Sequence, residues 1–321
     1  APGVLCIQRP VPIGKVGLYI PGGSAPLFST VLMLAVPAVL AGCRERILCT
    51  PCRRDGSIAP EVLFAARECG VTRIFRLGGA QAVAAMAYGT ESVPKTDKIF
   101  GPGNPYVTLA KQLVSGRNTS IDMPAGPSEV MVLADGSTPA AFVASDLLSQ
   151  AEHGKDSTAV LACTSKAYAE EVLCGLEKQK AVLPRESQLE GALSHSFIVV
   201  LDSREELVEF AEAYAPEHLI IAVEDAAGLA GKITAAGSVF IGPWSPESAG
   251  DYASGTNHTL PTSAWARSYS GVNMDSFFRK MTLQELTREG LESLAPTIVA
   301  MARAEGLEAH AQAVTVRMEG K

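Results

Sequence analysis

The chain is constrained above all by a tight alternation of short apolar strands and helices, punctuated by glycine. Val16-Gly-Leu-Tyr-Ile20 predicts a buried strand running into the turn Pro21-Gly22-Gly23, and a helix follows from about Leu27 to Leu40, stopped by Gly42. Arg46-Ile-Leu-Cys49 predicts the next strand, with a helix from Ala59 to Glu68, and Arg73-Ile-Phe-Arg76 another, with a helix from Gln81 to Tyr88. Lys98-Ile-Phe100 leads into Gly101-Pro102-Gly103-Asn104 and a helix from about Tyr106 to Val114. A second round follows the rigid turn Pro124-Ala-Gly-Pro127. Its strands are Val130–Leu133, Ala159–Ala162, Phe197–Leu201, Leu219–Val223 and Ser238–Ile241, with helices at Lys166–Lys180 and Arg204–Tyr214. Strands spaced by helices in this way form parallel sheets covered on both faces. The expected fold is α/β, with two doubly wound, incomplete Rossmann-like lobes and a cleft at the carboxyl ends of their strands.

The 321 residues, 47% of them hydrophobic, suffice for two such lobes. A net charge of −7, with no basic run carrying interleaved aromatics, argues against a nucleic-acid partner. The longest apolar stretch, Leu27 to Ala41, is broken by Ser29, Thr30 and Pro37 and is too short to span a bilayer, so no membrane partner is expected. Seven scattered cysteines suit reduced thiols inside a cell, in the cytoplasm or a plastid-type compartment. Cys49-Thr-Pro-Cys52 lacks a second pair and reads as a strand-to-loop transition.

Beyond Ile241 the texture changes. Gly242 to Thr262 is rich in Gly, Ser, Pro and Asn and embeds Asp251 and His258, the pattern of a functional loop. Thr282-Leu-Gln-Glu285 has the form of a capping box and predicts a helix start. A longer helix from about Leu291 to Gly306 carries Glu305 in its last turn, and His310 follows on a short helix. This tail has too little core of its own and is expected to lie on a partner surface. The boundaries read as 1–15 lead-in, 16–127 first lobe, 128–272 second lobe and 273–321 helical tail.

Two local patterns carry possible chemistry. A helix capped at Thr138, with Pro139 first and Gly154 beyond its end, places Gln150 on the buried stripe and His153 beside it at i+3. Such a pair is half a metal site, and equally the polar last turn of an amphipathic helix. Glu217 and His218 set an acid beside a base just before a strand, where they could converge on one substrate or simply form a solvated helix terminus. Four of the five histidines stand at element ends beside Gly, Glu, Asp or Asn; His195 does not.

These stretches carry a resemblance. Tyr-Ile-Pro-Gly-Gly at 19–23, Gly-Gly-Ala-Gln-Ala at 78–82, Phe-Gly-Pro-Gly-Asn at 100–104 and Asp-Met-Pro-Ala-Gly-Pro-Ser-Glu at 122–129 are similar to histidinol dehydrogenase. So are Asp-Leu-Leu-Ser-Gln-Ala-Glu-His-Gly at 146–154, Pro-Glu-His-Leu at 216–219 and the run from Ser245 to His258. The match runs in order from about Val16 to the C-terminus. The family carries further residues ahead of the first of these strands, so the chain reads as a fragment, a proteolytic product or one segment of a longer polypeptide.

The resemblance implies the last steps of histidine biosynthesis: a four-electron oxidation of L-histidinol to L-histidine through a bound aldehyde, consuming two NAD. It implies zinc held by Gln150, His153, Asp251 and His310, a mixed nitrogen and oxygen set suited to the metal. Ser128, His258 and Glu305 match substrate-contacting positions, alongside Gln150, His153, His218, Asp251 and His310. His218 is implied as the base for alcohol oxidation and Glu217 as the residue that activates water for the aldehyde step. NAD is implied near Tyr19, Gln81 and Asn104; the chain has no regular G-x-G-x-x-G fingerprint. Glu305 and His310 are implied to reach the other subunit's site in a homodimer. Two other readings compete: a same-scaffold dehydrogenase for another small polyol or amino alcohol, and an inactive metal-binding or assembly module.

Overall fold

The computed structural model describes residues 2–22, 26–117 and 119–319, so Gly23 of the first turn lies outside the described residues. The chain opens on β1 (Val4–Pro12), a strand where the sequence suggested a plain lead-in. The first doubly wound lobe then follows in order: β2 (Lys15–Tyr19), α1 (Phe28–Leu40), β3 (Glu45–Thr50), α2 (Pro60–Glu68), β4 (Arg73–Arg76), α3 (Gly79–Tyr88), β5 (Lys98–Phe100), α4 (Pro105–Ser115) and β6 (Ser120–Ile121). Its five strands are ordered β4-β3-β2-β5-β6, and every pair is parallel. Central strand β2 is buried from Val16 to Tyr19, which is why it reads as a continuous apolar run rather than an alternating one.

The second lobe comprises β7 (Glu129–Ala134), α5 (Ala140–Ala151), β8 (Thr158–Cys163), α6 (Lys166–Lys180), α7 (Glu186–Leu193), β9 (Phe197–Val200), α8 (Arg204–Tyr214), β10 (His218–Ala222), α9 (Ala226–Ala230), β11 (Ser238–Ile241) and α10 (Glu247–Tyr252). Its sheet, β11-β10-β7-β8-β9, is also fully parallel and has the same winding, with the first strand central and the chain reversing direction beside it. Val132, Val143, Leu161, Val172 and Ile220 fill one face of this sheet; Met131, Val160, Leu207, Leu219 and Ile221 fill the other. The cap of α5 differs from expectation. Pro139 itself is the N-cap, and Thr138 turns away to donate its hydroxyl to the Ala222 carbonyl at 3.2 Å. A proline at the cap needs no helical partner for an N–H, so the helix starts one residue later.

A separate compact unit pairs β1 with β12 (Phe278–Leu286), followed by α11 (Arg288–Ala304) and α12 (Glu308–Glu319). The expected helix start at Thr282 is therefore wrong. Residues 282–285 lie mid-strand, each facing a residue of β1, from Gln8↔Thr282 to Leu5↔Glu285. The working cap is Thr287, whose hydroxyl oxygen accepts the Gly290 N–H at 3.1 Å. Among the described residues no helix is long and apolar enough to cross a membrane.

Candidate active site

The carboxyl edge of the first sheet runs directly into the amino edge of the second. From Ile121 the chain passes through Asp122–Ser128 and enters β7 at Glu129. Glu129 N–H donates to Glu217 Oε2 at 2.9 Å, and the Glu129 carboxyl accepts from Ser263 N–H at 2.9 Å and the Tyr214 hydroxyl at 3.2 Å. Glu129 is thus tied to the turn before β10 and to the loop beyond His258, and burial raises its pKa.

His218 is the first residue of β10, a strand buried along its whole length. Ala215 in the left-handed region (φ 54°) turns the chain after α8, so Glu217 stands outside the strand and swings back beside its neighbour. The two converge as the sequence allowed: Glu217 Oε2 lies 3.6 Å from His218 Nδ1. Nδ1 also lies 3.2 Å from the Glu129 carbonyl oxygen. A carbonyl only accepts, so Nδ1 carries the proton, and in the neutral ring the lone pair sits on Nε2. That nitrogen is buried and has no partner.

Burial drives both groups toward neutrality. Desolvation lowers the His218 pKa to about 3, against the opposing Glu129 carbonyl contact. Desolvation likewise holds the Glu217 carboxyl well above the usual range; the Glu129 N–H opposes this, and Glu247, Glu129 and Asp251 reinforce it.

Gln150, His153 and Asp251 gather on the same side. Gln150 sits in the last turn of α5, fully buried, with both amide atoms unpartnered. His153 lies just past the helix end, where Nδ1–H donates to the Ser149 carbonyl at 3.2 Å and leaves Nε2 4.0 Å from Asp251 Oδ2. A ring oriented this way by its second nitrogen is how proteins present a histidine to a metal. Glu247 joins them, one helical turn before Asp251 on α10; ligand atoms of His153, Glu247 and Asp251 all lie within 4.8 Å of one another. Desolvation raises the pKa of both Glu247 and Asp251.

Glu247, with the whole side chain buried, was not singled out from the sequence, although it lies within the quoted Ser245–His258 run. Its spacing of four from Asp251 was the available signal. Asp146, one turn before Gln150, was also passed over; desolvation raises its pKa to about 7.

Among the described residues, the buried side-chain N and O atoms without a partner are those of Gln150, His218, Glu247, His258 and Thr259. Each such atom costs about 1–3 kcal/mol when nothing meets it. Their concentration here, two imidazoles, a carboxylate, an amide and a hydroxyl beside His153 and Asp251, is a donor set suited to a divalent cation and a polar substrate. His258 is part of this cluster, its pKa lowered by burial, whereas Ser128 precedes β7 and gives its carbonyl to Thr158 N–H at 3.1 Å. Glu305 caps α11 and His310 lies on α12; both are exposed in the separate unit.

This cluster occupies the amino ends of β7 and β10, not the carboxyl ends expected from the winding. The carboxyl edge of that sheet is closed instead. Asp135 accepts from Ser137 N–H at 3.0 Å and Glu224 N–H at 3.1 Å and pairs with Arg204, and the Tyr168 hydroxyl bonds the Thr138 carbonyl at 2.7 Å.

The first sheet keeps its carboxyl edge open to function. Tyr19 ends β2 with its hydroxyl accepting the Gly79 N–H at 3.1 Å, Gln81 is exposed in the first turn of α3, and Asn104 caps α4 through Val107 N–H at 3.0 Å. Gly101 adopts φ 120° there, and a Cβ on it would meet the Tyr19 carbonyl oxygen at 2.1 Å. Glycine turns and helix N-termini at a switch point fit a dinucleotide's phosphates.

The family model for histidinol dehydrogenase matches residues 1–318. Histidinol dehydrogenase of Bacteroides fragilis (strain YCH46) is 60% identical over 317 residues, covering 99% of this chain and 74% of that protein. That of Vibrio vulnificus (strain CMCP6) is 56% identical over 320 residues, covering 99% and 73%. The crystal structure of histidinol dehydrogenase from Elizabethkingia anophelis superposes with a TM-score of 0.96 at 53% identity, over 99% of this chain and 74% of that one. With sequence matched almost end to end and the backbone superposing to this degree, the chain belongs to the histidinol dehydrogenase family.

Proposed function

We propose that the chain oxidises L-histidinol to L-histidine through L-histidinaldehyde, with zinc in the site and two NAD consumed. The observation that carries this reading is the neutral, Nδ1-protonated His218 beside Glu217, whose buried Nε2 has no partner, next to a metal-type donor set. Family membership supplies the substrate; the geometry supports the roles.

In the first step Nε2 of His218 takes the hydroxyl proton as hydride leaves the alcohol carbon. Low basicity suits a group that must release this proton again before the second step. In that step water adds to the aldehyde, and Glu217 removes its proton; a carboxylate with a raised pKa is a stronger base than a solvated one. Its Oε2 is held by the Glu129 N–H, so the carboxyl is oriented before substrate arrives.

Gln150, His153 and Asp251 would hold the zinc, with His310 supplied by the tail of a partner subunit. The metal would supply a Lewis-acid anchor for the imidazole and amine of histidinol. Ser128 and His258 would contact substrate, and Glu305 from the partner would pair with the amine. NAD would accept the two hydrides along the carboxyl edge of the first sheet near Tyr19, Gln81 and Asn104. The arrangement implies a homodimer with exchanged tails, and the reaction is that of a cytoplasmic biosynthetic enzyme.

The test is NADH formed per L-histidinol with histidinol limiting, before and after chelation. Two NADH per substrate, lost to a chelator and restored by zinc, is the expected result. One NADH would show that the aldehyde escapes and that Glu217 lacks its assigned role. None, from folded and zinc-loaded protein, would overturn catalysis by this chain.

A further inference from the structure

The structure assigns Asn257 as a positioning residue: its side-chain amide ties the loop that carries His258 to the first lobe, and so sets His258 and the substrate against the cofactor edge. This role rests on the reading above, in which substrate sits on the second lobe and NAD on the first, and adds to it a residue that takes no part in the chemistry itself.

Pro37 lies inside α1 and has no N–H, so the carbonyl four residues earlier, that of Met33, loses its helical donor. Asn257 fills the gap: its Nδ2 donates to the Met33 carbonyl oxygen at 2.8 Å, across a sequence separation of 224. The other end of the same amide is used as well. Asn257 Oδ1 accepts the Thr259 N–H at 2.9 Å, an Asx turn with His258 as its middle residue. A carbonyl only accepts and an N–H only donates, so the two contacts admit a single orientation of the amide. Asparagine is the residue type this geometry requires. Aspartate would keep the turn and lose the tie.

The tie falls where the loop needs one. Residues 252–256 run exposed from Asp251, and Asn257 is where the chain re-enters the protein, directly before His258 with its buried, unpartnered Nε2. Other ties lie beyond His258. Gly126 N–H donates to Thr262 Oγ1 at 2.7 Å, Lys98 Nζ donates to the Ser276 carbonyl at 2.8 Å, and Phe277 stacks on Phe100 with ring centroids 4.2 Å apart. Hydride transfer in the proposed reaction needs its two carbons within about 3–3.5 Å, and they belong to ligands of different lobes. A direct bond from the loop beside the substrate to α1, the helix that follows β2, fixes that separation.

The competing role for Asn257 is a local turn former, and N257D separates the two, since it retains the acceptor for Thr259 and loses the donor to Met33. The experiment measures zinc content, steady-state NADH formation from L-histidinol and urea midpoints for the full chain and for N257D, N257A, P37A and P37A/N257A. N257D is expected to lower kcat about 10–10²-fold, as N257A does, with zinc content unchanged and KM for histidinol moving less than kcat. P37A gives Met33 a helical donor. N257A should therefore lower the urea midpoint less in the P37A background than beside Pro37, while its loss of kcat is the same in both. Parental kcat in N257D would overturn the cross-lobe tie and leave the dehydrogenase reading standing. Recovery of kcat in P37A/N257A would overturn positioning in favour of simple support of the fold. A folded, zinc-loaded parent chain that oxidises no histidinol would overturn both this role and the reading it rests on. If N257D fails to fold, P37A/N257D compared with P37A decides on the same criteria.

Discussion

The Lys111–Asp122 pair offers the sharpest test of how the first lobe is built. Lys111 is 0% exposed, its Nζ lying 2.5 Å from Asp122 Oδ1 and 2.8 Å from the Gly101 carbonyl oxygen. Asp122 accepts in addition from Gly101 N–H at 2.7 Å and Met123 N–H at 2.7 Å. Both polar groups of Gly101 are therefore held by one buried ion pair, at the turn that leads to Asn104. Removing one partner of such a pair costs about 3–5 kcal/mol, because the other charge stays buried alone. The two N–H donors to Asp122 soften the loss in K111M, so about 3 kcal/mol is expected there. D122N strands a buried ammonium with one carbonyl and should cost about 4–5 kcal/mol. The double variant K111M/D122N leaves no unpaired charge, and its cost should fall short of the sum by about 2–3 kcal/mol. Urea denaturation of the three variants measures the cycle. Steady-state kinetics should show KM for NAD rising while KM for histidinol holds, since the pair pins the edge along which NAD is proposed to bind. Additive costs would refute the coupling, and an unchanged KM for NAD in a folded variant would refute the link from the pair to the cofactor turn.

Four further predictions follow from the buried acids and the base. H218N removes the proton acceptor and should slow histidinol oxidation by about 10²–10⁴-fold, read as initial NADH formation. E217Q should slow the aldehyde step by a similar factor, so that NADH per histidinol falls from two toward one. In the parent chain that step requires the carboxylate; with the Glu217 pKa raised, histidinaldehyde oxidation should fall off as pH drops through a value well above 4.5. Asp146 bears on stability: its pKa rises from 3.8 to about 7 on folding, so the folded state binds the extra proton, and stability falls as pH rises across that window. D146N should therefore stabilise the metal-free chain by about 2–4 kcal/mol at pH 8 and by almost nothing at pH 4, measured by urea denaturation. An equal gain at both pH values would refute the burial argument.

Local signals located elements wherever a cap or a continuous apolar run decided the matter. Helices α6 and α8 occupy the expected Lys166–Lys180 and Arg204–Tyr214 because Ser165 and Ser203 accept the N–H groups of Tyr168 and Glu206. The central parallel strands β2, β7, β8 and β10 were legible because both of their faces are buried. The β1–β12 ribbon was not. Its strands pair residues far apart in sequence, β1 contains Pro10 and Pro12, and most of its side chains are exposed, so no periodicity marks it. Thr282 and Glu285 had the right spacing for a helix cap, and the pairing with Gln8 and Leu5 overrode it. In the site, Gln150, His153, Glu217, His218 and Asp251 were legible as residues with pointed chemistry, but their place at the amino edge was not, because the rule for doubly wound sheets looks to the other edge. Glu247 escaped notice because one more acid in a polar loop is unremarkable until its burial is seen.

The amino-edge placement has a physical consequence for catalysis. A base carried on a loop can rotate and exchange tautomers, whereas His218 is locked by register on both sides, opposite Val130 of β7 and Ser238 of β11. That register delivers the Glu129 carbonyl to Nδ1, and the same residue's N–H goes to Glu217 Oε2. One peptide segment at the head of β7 thus fixes the tautomer of the base through its acceptor and the orientation of the acid through its donor. The two side chains cannot drift apart without breaking backbone contacts at the head of two fully buried strands. In the proposed reaction two successive deprotonations, of the alcohol hydroxyl and then of the water added to the same carbon, require this constancy, because the second group must be in place before the aldehyde can leave. For the proposed reaction, the head of this sheet would set the geometry of both steps.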